Sequence, residues 1–211
     1  DWRELVEDHR SDGVLIGELD VEPGEYTRYF EDGERLDVLL NFYLCAYVFL
    51  ALTRQSAEPL EQAFEALPEL DWQGNWGNFL RNHDELDLQR LEDEEMEEVF
   101  EVLAPDENAR AFQRGIRRRL APLLEDDRGR MEMAYSLLLT LPGTPVIYYG
   151  QEIAMGDDLG LEEREPLRTP MQWEDAPQGG FSPASDDQLD APVIAEEPWG
   201  YRSRNVVEQR R

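Results

Sequence analysis

Gly77-Asn78-Phe79-Leu80-Arg81-Asn82-His83-Asp84-Glu85, residues 77–85, decides how the chain is read. Gly77 to Arg81 has the form of a short strand, and it runs straight into the polar group Asn82, His83, Asp84 and Glu85. The pattern repeats on either side. Upstream, Val14-Leu15-Ile16-Gly17 is a continuous apolar run, as in a fully buried parallel strand, followed at once by Glu18 and Asp20; Leu36 to Phe42 reads as a second buried strand. Downstream, Pro145 to Tyr149 is a fourth strand, followed by Gln151 and Glu152. Helical spacing fills the intervals: Trp2–Arg10, Pro23–Phe30, Val48–Thr53, Pro59–Leu67, Glu92–Leu103, Asn108–Leu124 and Arg128–Leu141, with a last helix beginning at Tyr201 and running to Arg211. Asp12-Gly13 and Asp32-Gly33 mark turns, and Pro142-Gly143 ends a helix. Four strands alternating with helices predict a parallel α/β architecture. Residues 150–192, rich in Gly, Pro and Asp, predict one long loop after the last strand, of a length that is usually functional.

Composition narrows the class. The 211 residues suffice for one domain with a sizeable core. No apolar run is long enough to span a bilayer, so no membrane partner is expected. Cys45 is the single cysteine; it cannot form an internal disulfide and reads as a small buried hydrophobe. The formal net charge is -28, and every one of the 20 basic residues is Arg. Nucleic acid phosphates would be repelled by such a surface. A compact state with this charge repels itself unless salt screens it. Acidic, Lys-free surfaces of this kind predict a cytoplasmic protein of a high-salt cell.

The polar groups after the first, third and fourth strands stand where barrels of alternating strand and helix build their active sites. Carboxylates held there suit glycoside chemistry, which needs an acid for the leaving oxygen and a negative partner for the developing cation. With 48 acidic residues in the chain, position alone does not separate such carboxylates from solvated surface.

Several segments together resemble glycoside hydrolase family 13, the α-amylase family. Gly17-Glu18-Leu19-Asp20-Val21 is similar to the segment bearing the family's acid/base glutamate. Residues 78–85 resemble its seventh strand, with the aspartate that stabilises the transition state, and residues 142–150 resemble its eighth. Arg168-Thr169-Pro170-Met171-Gln172-Trp173 is similar to a signature of the α-glucosidase and trehalose synthase side of the family, and residues 115–123 resemble the trehalose synthase branch.

The resemblance implies a partial (β/α)8 TIM barrel, about strands five to eight with their helices, so that residues 1–211 form the C-terminal half of a catalytic barrel whose first half is absent. It implies Glu18 as acid/base, a role in which it must hold a proton near neutral pH. Asp84 follows as transition-state stabiliser, with His83, Asn82 and Arg168 as substrate contacts; for His83 and Arg168 a structural role is the alternative. Trp173 and Phe181 either stack on a sugar or pack the loop. His9 falls on a surface helix and is expected to be inert. Asp37, in Arg35-Leu36-Asp37-Val38, mimics the nucleophile motif but follows Glu18 where the family's nucleophile precedes it, so it reads as structural. The nucleophile belongs to the family's fourth strand, outside these residues. Retaining chemistry needs two carboxylates about 5 Å apart, so the piece alone is expected to be inactive. It is also expected to need a partner, either the missing N-terminal half of the barrel or a second copy, to cover its open sheet edge.

The implied substrate is an α-linked glucose di- or oligosaccharide, and maltose–trehalose interconversion is the leading activity. The alternatives are α-glucosidase or α-amylase hydrolysis and, outside catalysis, a half-barrel that only binds sugar or a partner chain. No cofactor is required. Calcium, bound by some relatives, would find its usual ligands in the absent half. Gln151, where the family often has Asp, lacks the charge a metal contact there would use.

Overall fold

A computed structural model describes residues 2–31, 34–70 and 74–210. The expected Asp32-Gly33 turn and Arg211 lie outside the described residues. In chain order the elements are α1 (Trp2–His9), β1 (Ile16–Gly17), α2 (Thr27–Phe30), β2 (Val38–Leu40), α3 (Phe42–Arg54), α4 (Glu58–Ala66), β3 (Asn75–Phe79), β4 (Leu86–Asp87), α5 (Asp93–Leu103), β5 (Arg110–Ala111), β6 (Gly115–Ile116), α6 (Leu120–Leu123), α7 (Arg128–Thr140), β7 (Thr144–Val146) and α8 (Val206–Gln209). The chain divides into two compact units.

The first unit comprises residues 1–80, 90–95 and 134–146 and holds a parallel sheet in the order β1-β2-β3-β7. The four expected strands are these, in the expected sequence, with Gly17 opposite Leu39, Leu40 opposite Gly77 and Phe79 opposite Val146. Leu39, Phe79 and Leu80 are buried, and beside the sheet lies α3, whose residues Leu44 to Ala51 are all buried. Such an all-round apolar helix belongs in a core. Cys45 is buried within it, as its composition predicts. The Phe42 and Phe79 rings meet edge to face at 5.0 Å, and Tyr26 meets Trp76 likewise at 4.9 Å. Gly143, between α7 and β7, has φ +135°, and a Cβ there would fall 2.8 Å from the Trp76 carbonyl oxygen, so a side chain at this position would not fit.

Two strand assignments need correction. Val14–Gly17 is not fully buried: Val14 and Ile16 are 60% and 63% exposed. Among the described residues β1 pairs only with β2, and the exposed β7 only with β3, so each lies at a sheet edge. The run Leu36–Phe42 is strand only from Val38 to Leu40, because Asn41 turns the chain and caps α3 by accepting from the Leu44 N–H at 3.0 Å. That helix therefore starts at Phe42, six residues ahead of the expected Val48.

The second unit comprises residues 81–89, 96–133 and 147–211. The expected helix over Asn108–Leu124 does not form. In its place are a small antiparallel sheet, β4-β6-β5, and the short helix α6. Phe112 and Gln113 take positive φ at 54° and 60°, which no helix tolerates, and Gly115 passes so close to β4 that a Cβ would lie 2.8 Å from the Leu86 carbonyl oxygen. The long loop over 150–192 is present, ordered by four short 3-10 turns. The expected terminal helix shortens to Val206–Gln209, capped by Asn205, which accepts from the Glu208 N–H at 2.9 Å. Among the described residues no helix is long and apolar enough to cross a membrane.

Candidate active site

The second unit gathers most of the expected site. Arg81 is fully buried; it donates from Nε to the Arg118 carbonyl at 2.7 Å and from Nη2 to the Asp84 carbonyl at 2.8 Å, fixing the backbone of the polar run. The Asn82 side-chain oxygen accepts from the Asp84 N–H at 3.0 Å, a turn that presents the Asp84 carboxyl. Asn82 is buried, and among the described residues its Nδ2 meets no hydrogen-bond partner. His83 is half exposed, with Nε2 3.7 Å from Asp84 Oδ1, beyond hydrogen-bond length.

Two arginines face the two oxygens of Asp84. Arg168 donates from Nη2 to Oδ1 at 2.7 Å and from Nε to the His83 carbonyl at 3.1 Å. Arg164 Nη1 lies 3.3 Å from Oδ2. Arg164 is itself anchored by a bidentate pair to Glu85, from Nε at 2.6 Å and Nη2 at 3.0 Å. Glu85 is 2% exposed. Burial pushes its carboxyl up, but the hydrogen bonds and charge of Arg164, with a further bond from Arg114, outweigh that and hold it below the usual range. Sequence reasoning placed Glu85 in the polar group but gave it no role of its own, and it missed Arg164. Within Glu162-Glu163-Arg164-Glu165 the arginine looks like solvated surface, and the one signal was its spacing four residues ahead of Arg168.

Further arginines tie the loop down. Arg119 is buried and donates to the carbonyls of Tyr149 at 2.8 Å and Leu167 at 2.7 Å, its guanidinium lying over both tyrosine rings of the Tyr148-Tyr149 pair. Arg117 reaches the carbonyls of Asn108 at 2.8 Å, Leu161 at 2.7 Å and Leu159 at 3.2 Å. Asp157 accepts from the Arg119 N–H at 2.7 Å and pairs with Arg118; burial pushes its carboxyl up, against the pull of Arg118.

An open cavity of about 570 Å³ lies in the loop, lined by Tyr149, Glu152, Arg168, Trp173, Phe181 and Asp190 among others. Trp173 and Phe181 are 48% and 49% exposed, so neither packs the loop interior. Gln151 is buried and its side-chain oxygen accepts from the Tyr148 N–H at 2.9 Å, an uncharged structural role.

In the first unit Glu18 is exposed, directly after β1. Its neighbour Asp20 is engaged by Arg90, which donates to its carboxyl at 2.7 Å and its carbonyl at 3.0 Å and also pairs with Glu22. Asp37 accepts from the Leu15 N–H at 2.7 Å and pairs with Arg3 at 2.8 Å, the structural role expected of it. His9 sits on α1 with Nδ1 2.8 Å from the Leu5 carbonyl. Among the described residues no group of three or more His, Cys, Asp or Glu side chains is placed to hold a metal ion.

The family model for the α-amylase catalytic domain matches residues 1–196. The chain belongs to this family. Trehalose synthase/amylase TreS of Mycobacterium tuberculosis is 40% identical over 212 residues, covering 99% of this chain and 35% of that protein. The trehalose synthase of Thermus thermophilus is 42% identical over 209 residues, covering 99% and 22%. The chain thus spans about a third or less of the length of these relatives. Among solved structures, the α-amylase from H. orenii superposes with TM-score 0.55 at 20% identity over 100% of this chain and 35% of that one. Trehalulose synthase MutB gives TM-score 0.57 at 19% identity over 97% and 38%. At these identities the likeness concerns the fold, an α/β fold with a parallel sheet like that of amylase barrels.

Proposed function

We propose that residues 1–211 are strands five to eight, with their helices, of the catalytic barrel of a trehalose synthase-like enzyme that acts on α-linked glucose di- or oligosaccharides. In this reading Glu18 protonates the glycosidic oxygen as the C1–O bond breaks. A nucleophilic aspartate on the preceding strands takes C1 as a covalent glycosyl ester. Glu18 then removes the proton of the incoming hydroxyl: a glucose hydroxyl gives the transfer product, water gives hydrolysis. Asp84 grips ring hydroxyls and offsets the positive charge that develops at C1. Asn82, His83 and Arg168 contact the same ring. The chemistry draws on no metal or cofactor.

The observation that carries this reading is Asp84 flanked by Arg168 and Arg164, each facing one carboxylate oxygen. Guanidinium partners that a diol can replace or join leave that carboxylate oriented before a sugar arrives. The test supplies the nucleophile-bearing strands, on the same chain or as a second polypeptide, and follows maltose to trehalose and glucose. Glu18→Gln and Asp84→Asn each lower turnover at least about a hundredfold. Residues 1–211 alone give neither product. An Asp84→Asn protein at full rate, or steady product from residues 1–211 alone, would defeat the reading.

A further inference from the structure

Glu18 opens a segment without regular structure. β1 ends at Gly17, opposite Leu39, and residues 18–22 are neither strand nor helix before the 3-10 turn Pro23–Glu25. A ladder that stops at Gly17 does not fix where the next residues go. An arginine 70 residues beyond Asp20 does. Arg90 donates from Nε to the Asp20 carboxyl at 2.7 Å and from Nη2 to the Asp20 carbonyl at 3.0 Å. One guanidinium thus holds both the side chain and the backbone of the residue two places after Glu18. Its Nη1 pairs with Glu22, at the far end of the same segment. The Arg90 and Asp20 side chains are 15% and 14% exposed, which sets this pair apart from the surface ion pairs that contribute little.

Both ends of this clamp are fastened to the core of the first unit. Beside Arg90, Leu91 is buried and Glu95 pairs with Arg54, at the end of α3, at 3.2 Å. Beyond Asp20, Tyr26 is fully buried with its ring against Trp76 of β3, and the Asp20 charge reaches its phenol, which burial already pushes up. A general acid must come within hydrogen-bond reach of the oxygen it protonates, and a displacement of about 1 Å costs up to about a hundredfold in rate. A planar fork can grip Asp20 at two atoms at once. Resting on the assignment of Glu18 as acid/base, we infer that Arg90 is a positioning residue for Glu18, acting through Asp20 to hold residues 18–22 where the acid meets the glycosidic oxygen.

The experiment uses the protein supplied with the nucleophile-bearing strands and compares two donors. Maltose needs the acid: as C1–O breaks and C1 bonds to the nucleophile's carboxylate, the Glu18 proton goes to the departing oxygen. α-Glucosyl fluoride does not, since fluoride departs unprotonated. Added azide then takes C1 from the ester without giving up a proton, so neither step draws on Glu18. Arg90→Met is expected to lower kcat on maltose about tenfold or more with KM within about twofold of the parent, and to leave α-glucosyl fluoride turnover in azide within about twofold. Asp20→Ala, which leaves Arg90 its bonds to the Asp20 carbonyl and Glu22, shows the same split less steeply and serves if Arg90→Met does not fold. Asp20→Asn keeps an oxygen for the Nε donor and stays closer to the parent. Glu18→Gln splits the donors most steeply. If Arg90→Met and Asp20→Ala both process maltose as the parent does while Glu18→Gln shows the split, Arg90 positions nothing and the assignment of Glu18 stands. If Glu18→Gln shows no split, the assignment of Glu18 is wrong and the inference falls with it. Equal loss on both donors in Arg90→Met and Asp20→Ala marks damage to the fold and also overturns the positioning role.

Discussion

In the sheet-bearing unit the largest fully buried side chains are Tyr26, Phe49, Leu39, Leu50 and Leu80, whereas in the loop-bearing unit they are headed by Arg81 and Arg119. The two units face the same requirement, that buried carbonyl oxygens find donors, and meet it differently. Where β1, β2, β3, β7 and α3 run regularly, backbone N–H groups satisfy backbone carbonyls and the interior is mainly hydrocarbon, with Asn41 and Asn78 buried in it. Where the chain follows no periodic path, Arg81, Arg117 and Arg119 supply the donors, each reaching two or more carbonyls. Lysine cannot replace them there, because its single ammonium lacks the planar fork that spans separated acceptors. The fork geometry thus accounts for arginine at these three positions of the loop unit.

The contrast predicts its own largest effect at Arg119. Arg119→Met matches the stem but strands the carbonyls of Tyr149 and Leu167, at a cost of about 3 kcal/mol or more in urea unfolding. Arg119→Lys keeps the charge and is expected to recover less than half of that. A fully stable lysine variant would break the distinction drawn between the units.

Glu85 gives the next effect and carries a pH signature. Glu85→Gln removes the charge that anchors Arg164 and costs about 2 kcal/mol at neutral pH. Because the folded carboxyl titrates below its ordinary value of 4.5, the stabilisation is fully present above that value and is lost as pH falls through the lower folded one. The stability gap between parent and variant is therefore widest at neutral pH and closes in acid. A gap that stays constant from pH 7 to pH 3 would show that the carboxylate's charge is not what holds Arg164.

What the sequence revealed follows the same division. The four parallel strands and their order were legible because burial in a sheet leaves apolar runs, and Asp84 with its neighbours was legible as a polar cluster at a run's end. Residues 108–124 were misread because Arg117 and Arg119 act through carbonyls far along the chain, near 149, 161 and 167, which no local period records. Arg164 was missed for the same reason: its partners Glu85 and Asp84 lie about eighty residues away. An open sheet edge was expected from the resemblance, but the exposure of Val14, Ile16 and β7 was not, because an apolar run states a preference for burial and not the presence of a neighbour.

The smallest effect tests the misread boundary in the sheet unit. Leu36 to Phe42 looks like one strand because apolar residues surround Asn41 and nothing in their order says where strand becomes helix. The structure puts the decision on Asn41, whose side-chain oxygen takes the Leu44 N–H while its amide approaches Asn78 at 3.4 Å. Asn41→Ala removes both contacts and is expected to cost about 1 kcal/mol, the usual worth of a helix cap. Asn41→Ser keeps a capping oxygen and loses only the long amide contact, so it falls within a few tenths of a kcal/mol of the parent. If serine and alanine destabilise equally in urea, the cap does not set the start of α3. The boundary would then have to come from the packing of Phe42 on Phe79, which Phe42→Leu would weaken while leaving the cap in place.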